Sequence, residues 1–140
     1  MTRFKCRAKI KGMNTWVYGA YLKFLPYTPN PLGERKPLES EYKHLIVTEG
    51  VSDWGLPREV ASYEVLPKTV GRCIGLKDKN DTLIYEGDEV RVLSEKGEPI
   101  AVVEWDLDLA GFVLNFDIVK DNFDSYYSRS LEVVGNIHDK

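Results

Sequence analysis

The sequence has few of the features that mark a membrane, secreted or metal-binding protein. No apolar run approaches the roughly 18 residues that cross a bilayer, and no apolar segment follows the charged N-terminus as in a secretory signal. Only two cysteines occur, Cys6 and Cys73, and their separation fits neither a metal site nor a redox motif. We therefore expect a cytoplasmic protein without membrane contact, in which Cys6 is a small core residue.

Catalytic motifs are also missing. The sequence contains no G-x-S-x-G nucleophile elbow, no phosphate-binding G-x-x-x-x-G-K-[ST] or G-x-G-x-x-G loop, and no H-E-x-x-H zinc motif. The only histidines are His44 and His138, and neither lies beside a cysteine or a second histidine. We predict that the protein is not an enzyme, binds no metal or cofactor and has no small-molecule substrate, and that His44 has a structural role.

The length and composition fit one globular domain. Of 140 residues, 43% are hydrophobic and 29% charged, and a domain of this size buries roughly two-thirds of its unfolded surface. The net charge is −3, but residues 1–24 carry only basic charges, whereas the charged residues of 98–140 are mostly acidic. We expect residues 1–140 to form a single domain, with N-terminal strands and loops in 1–66 and a small barrel in 67–140, packed as one unit.

Apolar and polar residues alternate with a period of two along most of the chain, which predicts a mainly β fold. The predicted strands are Arg3–Lys11, Thr15–Phe24, His44–Thr48, Ser62–Leu66, Glu89–Leu93, Ile100–Trp105, Gly111–Phe116 and Leu131–Ile137. The short strands of the C-terminal half indicate a small SH3-like, partly open barrel. Four of the seven prolines fall in Leu25–Ser40, which we expect to be an irregular surface loop.

The stretch TVGRCIGLKDKNDTLIYEGDEV, Thr69 to Val90, resembles the signature of the YopX-like family of phage and prophage proteins. The resemblance continues in VVEWD, GFVLN and LEVVGNIHD toward the C-terminus and in FKCRAKIKGMNTWVYG at the N-terminus, and it leaves Leu25–Leu66 poorly matched. It implies a β-rich, phage-derived protein in a bacterial host cell and supplies no catalytic residues. Asp81 departs from the family pattern, which usually has glycine after the asparagine of this turn.

The residues of that signature predict two turns and do not indicate a catalytic role. KDKND (Lys77–Asp81) separates two β-like runs, and both Asn80 and Asp81 can adopt left-handed backbone conformations. In the EGDEV that follows, Gly87 permits a backbone geometry that a side chain would forbid. We expect Asp88 to brace this second turn through hydrogen bonds to the backbone.

Four aromatic residues are candidates for binding a partner protein. Trp54, in the loop VSDWGLP, either anchors a partner or fills the end of the barrel core. Phe123, Tyr126 and Tyr127, in DNFDSYYSRS, form either a contact loop or an ordinary loop whose rings fold back onto the barrel. Because catalytic motifs are missing, we predict a non-enzymatic phage accessory protein that contacts an unidentified host or phage protein, or copies of itself.

The opening strand carries cations at alternate positions. These are Arg3, Lys5, Arg7, Lys9 and Lys11. They could contact phosphates while Trp16 or Tyr18 stacks on bases, so a nucleic-acid-binding β-barrel is the alternative function. We favour a structural interpretation, in which the cations protect an edge strand from unwanted pairing or face the acidic row of Glu104, Asp106 and Asp108.

Overall fold

The chain folds into two compact units of β-structure. The computed structural model describes residues 5–33, 35–49, 54–56, 59–123 and 126–139. The first unit ends at Val70 and the second begins at Gly71. The strands are β1 (Cys6–Lys9), β2 (Trp16–Phe24), β3 (Lys43–Glu49), β4 (Val60–Glu64), β5 (Gly71–Lys77), β6 (Leu83–Tyr85), β7 (Asp88–Val92), β8 (Ile100–Asp106), β9 (Gly111–Asn115), β10 (Lys120–Asn122) and β11 (Leu131–Asn136). The mainly β prediction is confirmed, and none of these residues lies in a helix that could span a membrane.

The N-terminal unit is an antiparallel sheet in which the long strand β2 turns a corner. The strand order is β4-β3-β2-β1. The first half of β2 pairs with β1 as far as Gly19, and the second half pairs with β3 from Ala20 onward. The sheet curls until the residues that follow β4 meet those that follow β1, where Ile10 and Val65 form an isolated bridge. Glycine within a strand is typical of such corners.

The basic strand β1 is therefore not the exposed edge that its cations predicted. Strand β2 pairs along one side of it. On the other side, the Leu66 N–H donates to the Lys9 carbonyl at 2.9 Å, and the Lys11 N–H donates to the Glu64 carbonyl at 2.8 Å. The Lys9 N–H donates to Thr69 Oγ1 at 2.9 Å. Because β1 is hydrogen-bonded on both sides, its cations are not needed to protect a free edge from unwanted strand pairing.

The inner face of the curled sheet forms the N-terminal core. Cys6 and Ala8, alternate residues of β1, pack with Ile46 and Val65, and none of the four is more than 9% exposed. The partly buried residues around this cluster are Val17, Tyr21 and Val70. The prediction that Cys6 is a core residue is confirmed.

The C-terminal unit contains an open five-stranded antiparallel sheet. Its order is β10-β9-β8-β7-β11, and β5 pairs with β6. The core residues are Ile84, Val90, Val92, Ala101, Val103, Leu114 and Leu131. Because β10 and β11 are the two outer strands, the sheet formed by the described residues does not close into a barrel. The SH3-like detail stays a prediction.

The family signature forms the turns predicted for it. Asp81 has a left-handed backbone with φ of 66°, and Gly87 has φ of 88°. Asp88 is 1% exposed, and its Oδ2 accepts the Tyr85 N–H at 2.8 Å. This hydrogen bond confirms that Asp88 braces the turn between β6 and β7.

Asp78 has a structural role that sequence reasoning missed. Its Oδ1 accepts the N–H groups of Asn80 and Thr82, and its Oδ2 accepts the N–H of Val133, all at 2.9 Å. The side chain is nearly buried, at 5% exposure. One carboxylate thus holds the KDKND turn together and ties it to β11.

Candidate functional site

The clearest candidate for partner binding is a set of exposed apolar residues in the part of the sequence that leads into β4. Trp54 is 101% exposed, so it does not fill the end of a core. Leu56 is 59% exposed and Val60, the first residue of β4, is 75% exposed. We call Trp54, Leu56 and Val60 the exposed apolar segment.

Among the residues that the structure describes, no strand pairs with the outer side of the first half of β4. The Val65 N–H donates to the His44 carbonyl at 2.9 Å, whereas the Glu64 carbonyl accepts from the opposite side of the strand. Because hydrogen-bonding directions alternate along an antiparallel strand, the backbone groups of Val60 and Ser62 point away from β3. Strand β4 is the outer strand of its sheet. Its edge can therefore accept an extended chain from a partner.

The three candidate residues in DNFDSYYSRS differ in how far they are buried. Phe123 and Tyr126 pack against the C-terminal core, and the Tyr126 hydroxyl donates to the Asp121 carboxylate at 2.7 Å. Burial and this hydrogen bond raise the pKa of Tyr126 to about 12. Tyr127 is 69% exposed, with the Arg129 guanidinium 5.0 Å from its ring centre. Of these three, Tyr127 is the one that a partner can reach.

The cations of the opening strand contact aromatic rings of β2. The Arg7 guanidinium lies 4.7 Å and the Lys9 ammonium 5.5 Å from the centre of the Trp16 ring, and the Lys5 ammonium lies 5.2 Å from the Tyr18 ring. Arg7 and Lys9 are only 7% and 8% exposed. Burial of these two side chains does not fit the edge-protecting interpretation, which needs exposed cations.

Two lysines of the row also make polar contacts within the N-terminal unit. Arg3 lies outside the described residues. Lys11 is 3.4 Å from the Glu64 carboxylate, and the Lys9 ammonium donates to Asn14 at 2.8 Å. The surface has the aromatic and basic composition of a nucleic-acid site. Each of its described cations contacts another group of the protein, and these cations are Lys5, Arg7, Lys9 and Lys11.

The acidic row is paired with a cation from a strand that the sequence pattern did not reveal. Lys120, in the three-residue strand β10, lies 3.9 Å from Glu104 and 3.6 Å from Asp106. Asp106 also accepts the N–H groups of Asp108 and Leu109, which turns the chain after β8. Glu104 and Asp106 are thus paired with Lys120, a different partner from the opening-strand cations that the sequence suggested. Across the described ranges, no three His, Cys, Asp or Glu side chains cluster as metal ligands would.

Tyr21 and His44 form a polar pair that sequence reasoning also missed. The Tyr21 hydroxyl lies 2.5 Å from His44 Nδ1, and the two rings stack at 5.9 Å with an angle of 11° between their planes. Lys23 is directly opposite His44 across β2 and β3, which places Tyr21 diagonally beside it on the same face. The proline-rich loop between these strands hides their register from the sequence.

Comparison with known proteins identifies the family of the chain. The family described as YopX protein matches residues 5–140, which is nearly the whole chain and includes the region after Leu25 that the signature motifs left poorly matched. No curated protein matches the chain significantly. The chain belongs to the YopX protein family.

Proposed function

We propose that this chain is a non-enzymatic phage accessory protein that acts in the cytoplasm of a bacterial host through contact with another protein. The observation that carries the proposal is the complete exposure of Trp54. Tryptophan brings roughly 150–250 Å² of contact area, and exposed tryptophans are frequent hot spots of interfaces. Family membership in YopX is consistent with a phage origin.

The exposed apolar segment and the edge of β4 suit a protein partner better than a small molecule. An extended partner chain can pair with the backbone of Val60 and Ser62, and Trp54 and Leu56 can pack against its side chains. Backbone pairing supplies affinity, while the apolar contacts select the partner. The other candidate partner at this edge is a second copy of the chain.

Replacing Trp54 with alanine is expected to weaken partner binding at least about 30-fold, because truncating a hot-spot residue costs about 2 kcal/mol or more. The partner is first identified by placing a photo-crosslinking amino acid at position 54 in host cells. Its affinity for the wild-type and variant proteins is then measured with purified components. Sedimentation equilibrium of the protein alone tests whether the partner is a second copy.

Ile118→Ala is the matched control, since Ile118 is 95% exposed and lies in the C-terminal unit. It should bind the partner like the wild-type protein. Both variants should keep the wild-type urea midpoint, because neither side chain is buried. A partner that binds Trp54→Ala as tightly as wild type, with no loss of self-association, would contradict the proposal.

For the alternative, nucleic-acid binding, we expect no measurable affinity. Arg7 and Lys9 are buried and Lys11 is paired with Glu64, so few phosphates can be neutralised. Fluorescence anisotropy with mixed-sequence single- and double-stranded DNA and RNA at 50 and 200 mM salt measures this. Tight binding, with a log–log salt slope near −0.9 for each phosphate contacted, would contradict this expectation. In that case, replacing Lys5 and Lys9 with glutamate should weaken the binding.

A further inference from the structure

The C-terminal unit contains an apolar groove of about 340 Å³, which is at the small end of the range for binding sites. Ile74 and Phe123 line this groove and also pack against the C-terminal core, so the groove is continuous with that core. Leu76 and Leu109 line it as well, and they are 38% and 56% exposed. Phe112 is the fifth apolar side chain of the lining. The groove therefore offers apolar surface that a partner can reach.

The composition of the groove favours an aromatic occupant. None of the described residues that line it carries a charge, and an unpaired charged group would lose its hydration on entering such a site. The rings of Phe112 and Phe123 provide partners for a third aromatic ring. The small volume limits the occupant to one or two side chains. A single exposed tryptophan or tyrosine of a protein fits these requirements.

The chain itself supplies such a side chain in its N-terminal unit. Trp54 is 101% exposed, and Leu56, two residues later, is 59% exposed. Because both features belong to one polypeptide, every copy that offers a groove also offers a tryptophan at the same concentration. An exposed apolar side chain that fits a pocket elsewhere on the same molecule joins copies head to tail.

We propose that Trp54 of one copy binds in the groove of a second copy of this chain. The inference rests on the proposed contact through Trp54 and names the partner that makes this contact. Since the two contacting surfaces differ, each copy in a dimer can still bind one further copy. Tryptophan supplies roughly 150–250 Å² of contact area, well below the roughly 1,200 Å² at which stable interfaces begin. Association is therefore weak and increases with protein concentration.

Sedimentation equilibrium of the wild-type protein between about 10 μM and 1 mM should show a mass that rises beyond that of a dimer. Trp54→Ala should weaken the association at least about 30-fold. Leu109→Glu should weaken it at least about tenfold, because it places a charge in the apolar groove. Leu107→Glu is the matched control, since Leu107 is 86% exposed in the same turn and does not line the groove. It should associate like the wild-type protein.

Mixing the two defective variants tests the head-to-tail geometry. Trp54→Ala keeps an intact groove, whereas Leu109→Glu keeps an intact tryptophan. An equimolar mixture should form dimers with the affinity of one wild-type contact and should stop at the dimer, because both remaining surfaces are defective. N-acetyltryptophanamide, which mimics the side chain of Trp54, should dissociate the wild-type oligomer. This competition requires no substitution and so does not depend on how well a variant folds.

A wild-type protein that stays monomeric at about 1 mM would overturn the inference, as would wild-type self-association in Leu109→Glu. Failure of the mixed variants to form dimers would overturn it as well. In each case, crosslinking of position 54 to a host protein would leave the proposed function intact. If Trp54→Ala also bound that host protein as tightly as the wild type, the proposed function would fail with the inference.

Discussion

Replacing Gly19 with alanine is expected to destabilise the N-terminal unit by about 3 kcal/mol or more, the range of severe core defects. A Cβ at this position would lie 2.2 Å from the Val47 carbonyl oxygen and 3.1 Å from Cγ2 of Ile46. Because the carbonyl is part of the backbone, it cannot rotate away as the end of a side chain can. Strands β2 and β3 must therefore separate at the corner. Urea denaturation, with amide hydrogen exchange across β2 and β3, measures the effect.

Gly111→Ala is the control for this prediction. A Cβ at Gly111 would meet only the Leu109 carbonyl oxygen, at 3.8 Å, which is an ordinary contact. Its stability should change by less than about 1 kcal/mol. If Gly19→Ala were as stable as Gly111→Ala, then β2 would not turn a corner at Gly19.

Replacing Asp78 with alanine is expected to cost about 2–4 kcal/mol of stability in the C-terminal unit. The change removes the acceptor for three backbone N–H groups, those of Asn80, Thr82 and Val133. The N–H of Val133 connects the turn to β11, so its amide should lose protection from hydrogen exchange. Asp81→Asn is the control in the same turn, because the Asp81 side chain is 83% exposed and asparagine tolerates a left-handed backbone. It should change stability by less than about 0.5 kcal/mol.

The contribution of Asp78 should also depend on pH. Burial raises the pKa of its carboxyl, but the three backbone N–H donors outweigh this and hold the pKa below its ordinary value. A lowered pKa in the folded state means that the stabilisation is present above the unfolded pKa of about 3.9 and is lost as the pH falls through the folded value. The stability difference between the wild-type protein and Asp78→Asn should therefore be large at neutral pH and shrink below about pH 4. A difference independent of pH would show that the carboxylate charge contributes nothing.

Strands and turns were predictable because their signals are local. Alternation in TWVYGAYLKF and GFVLN placed β2 and β9 within one residue of their observed ends. The left-handed residue Asp81 and the positive φ of Gly87 were recognisable because few residue types adopt such backbones. Strand β10 was missed because three residues carry too little alternation to be recognised.

The candidate binding residues were harder to rank from the sequence, since exposure depends on packing between distant segments. The same loop supplies Phe123 and Tyr126, which pack on the core, and Tyr127, which does not. From the sequence, Trp54 was also a candidate core residue. The structure decides that its ring is exposed.

The sequence by itself determined the mainly β class, the positions of most strands, the YopX-type turns and the bracing role of Asp88. Each depends on residues within a few positions of one another. Only the tertiary structure decided that β2 turns a corner at Gly19, that Arg7 and Lys9 lie against Trp16, and that Tyr21 contacts His44. These features depend on strand register and on the curl of the sheet, which arise from contacts between segments far apart in the chain.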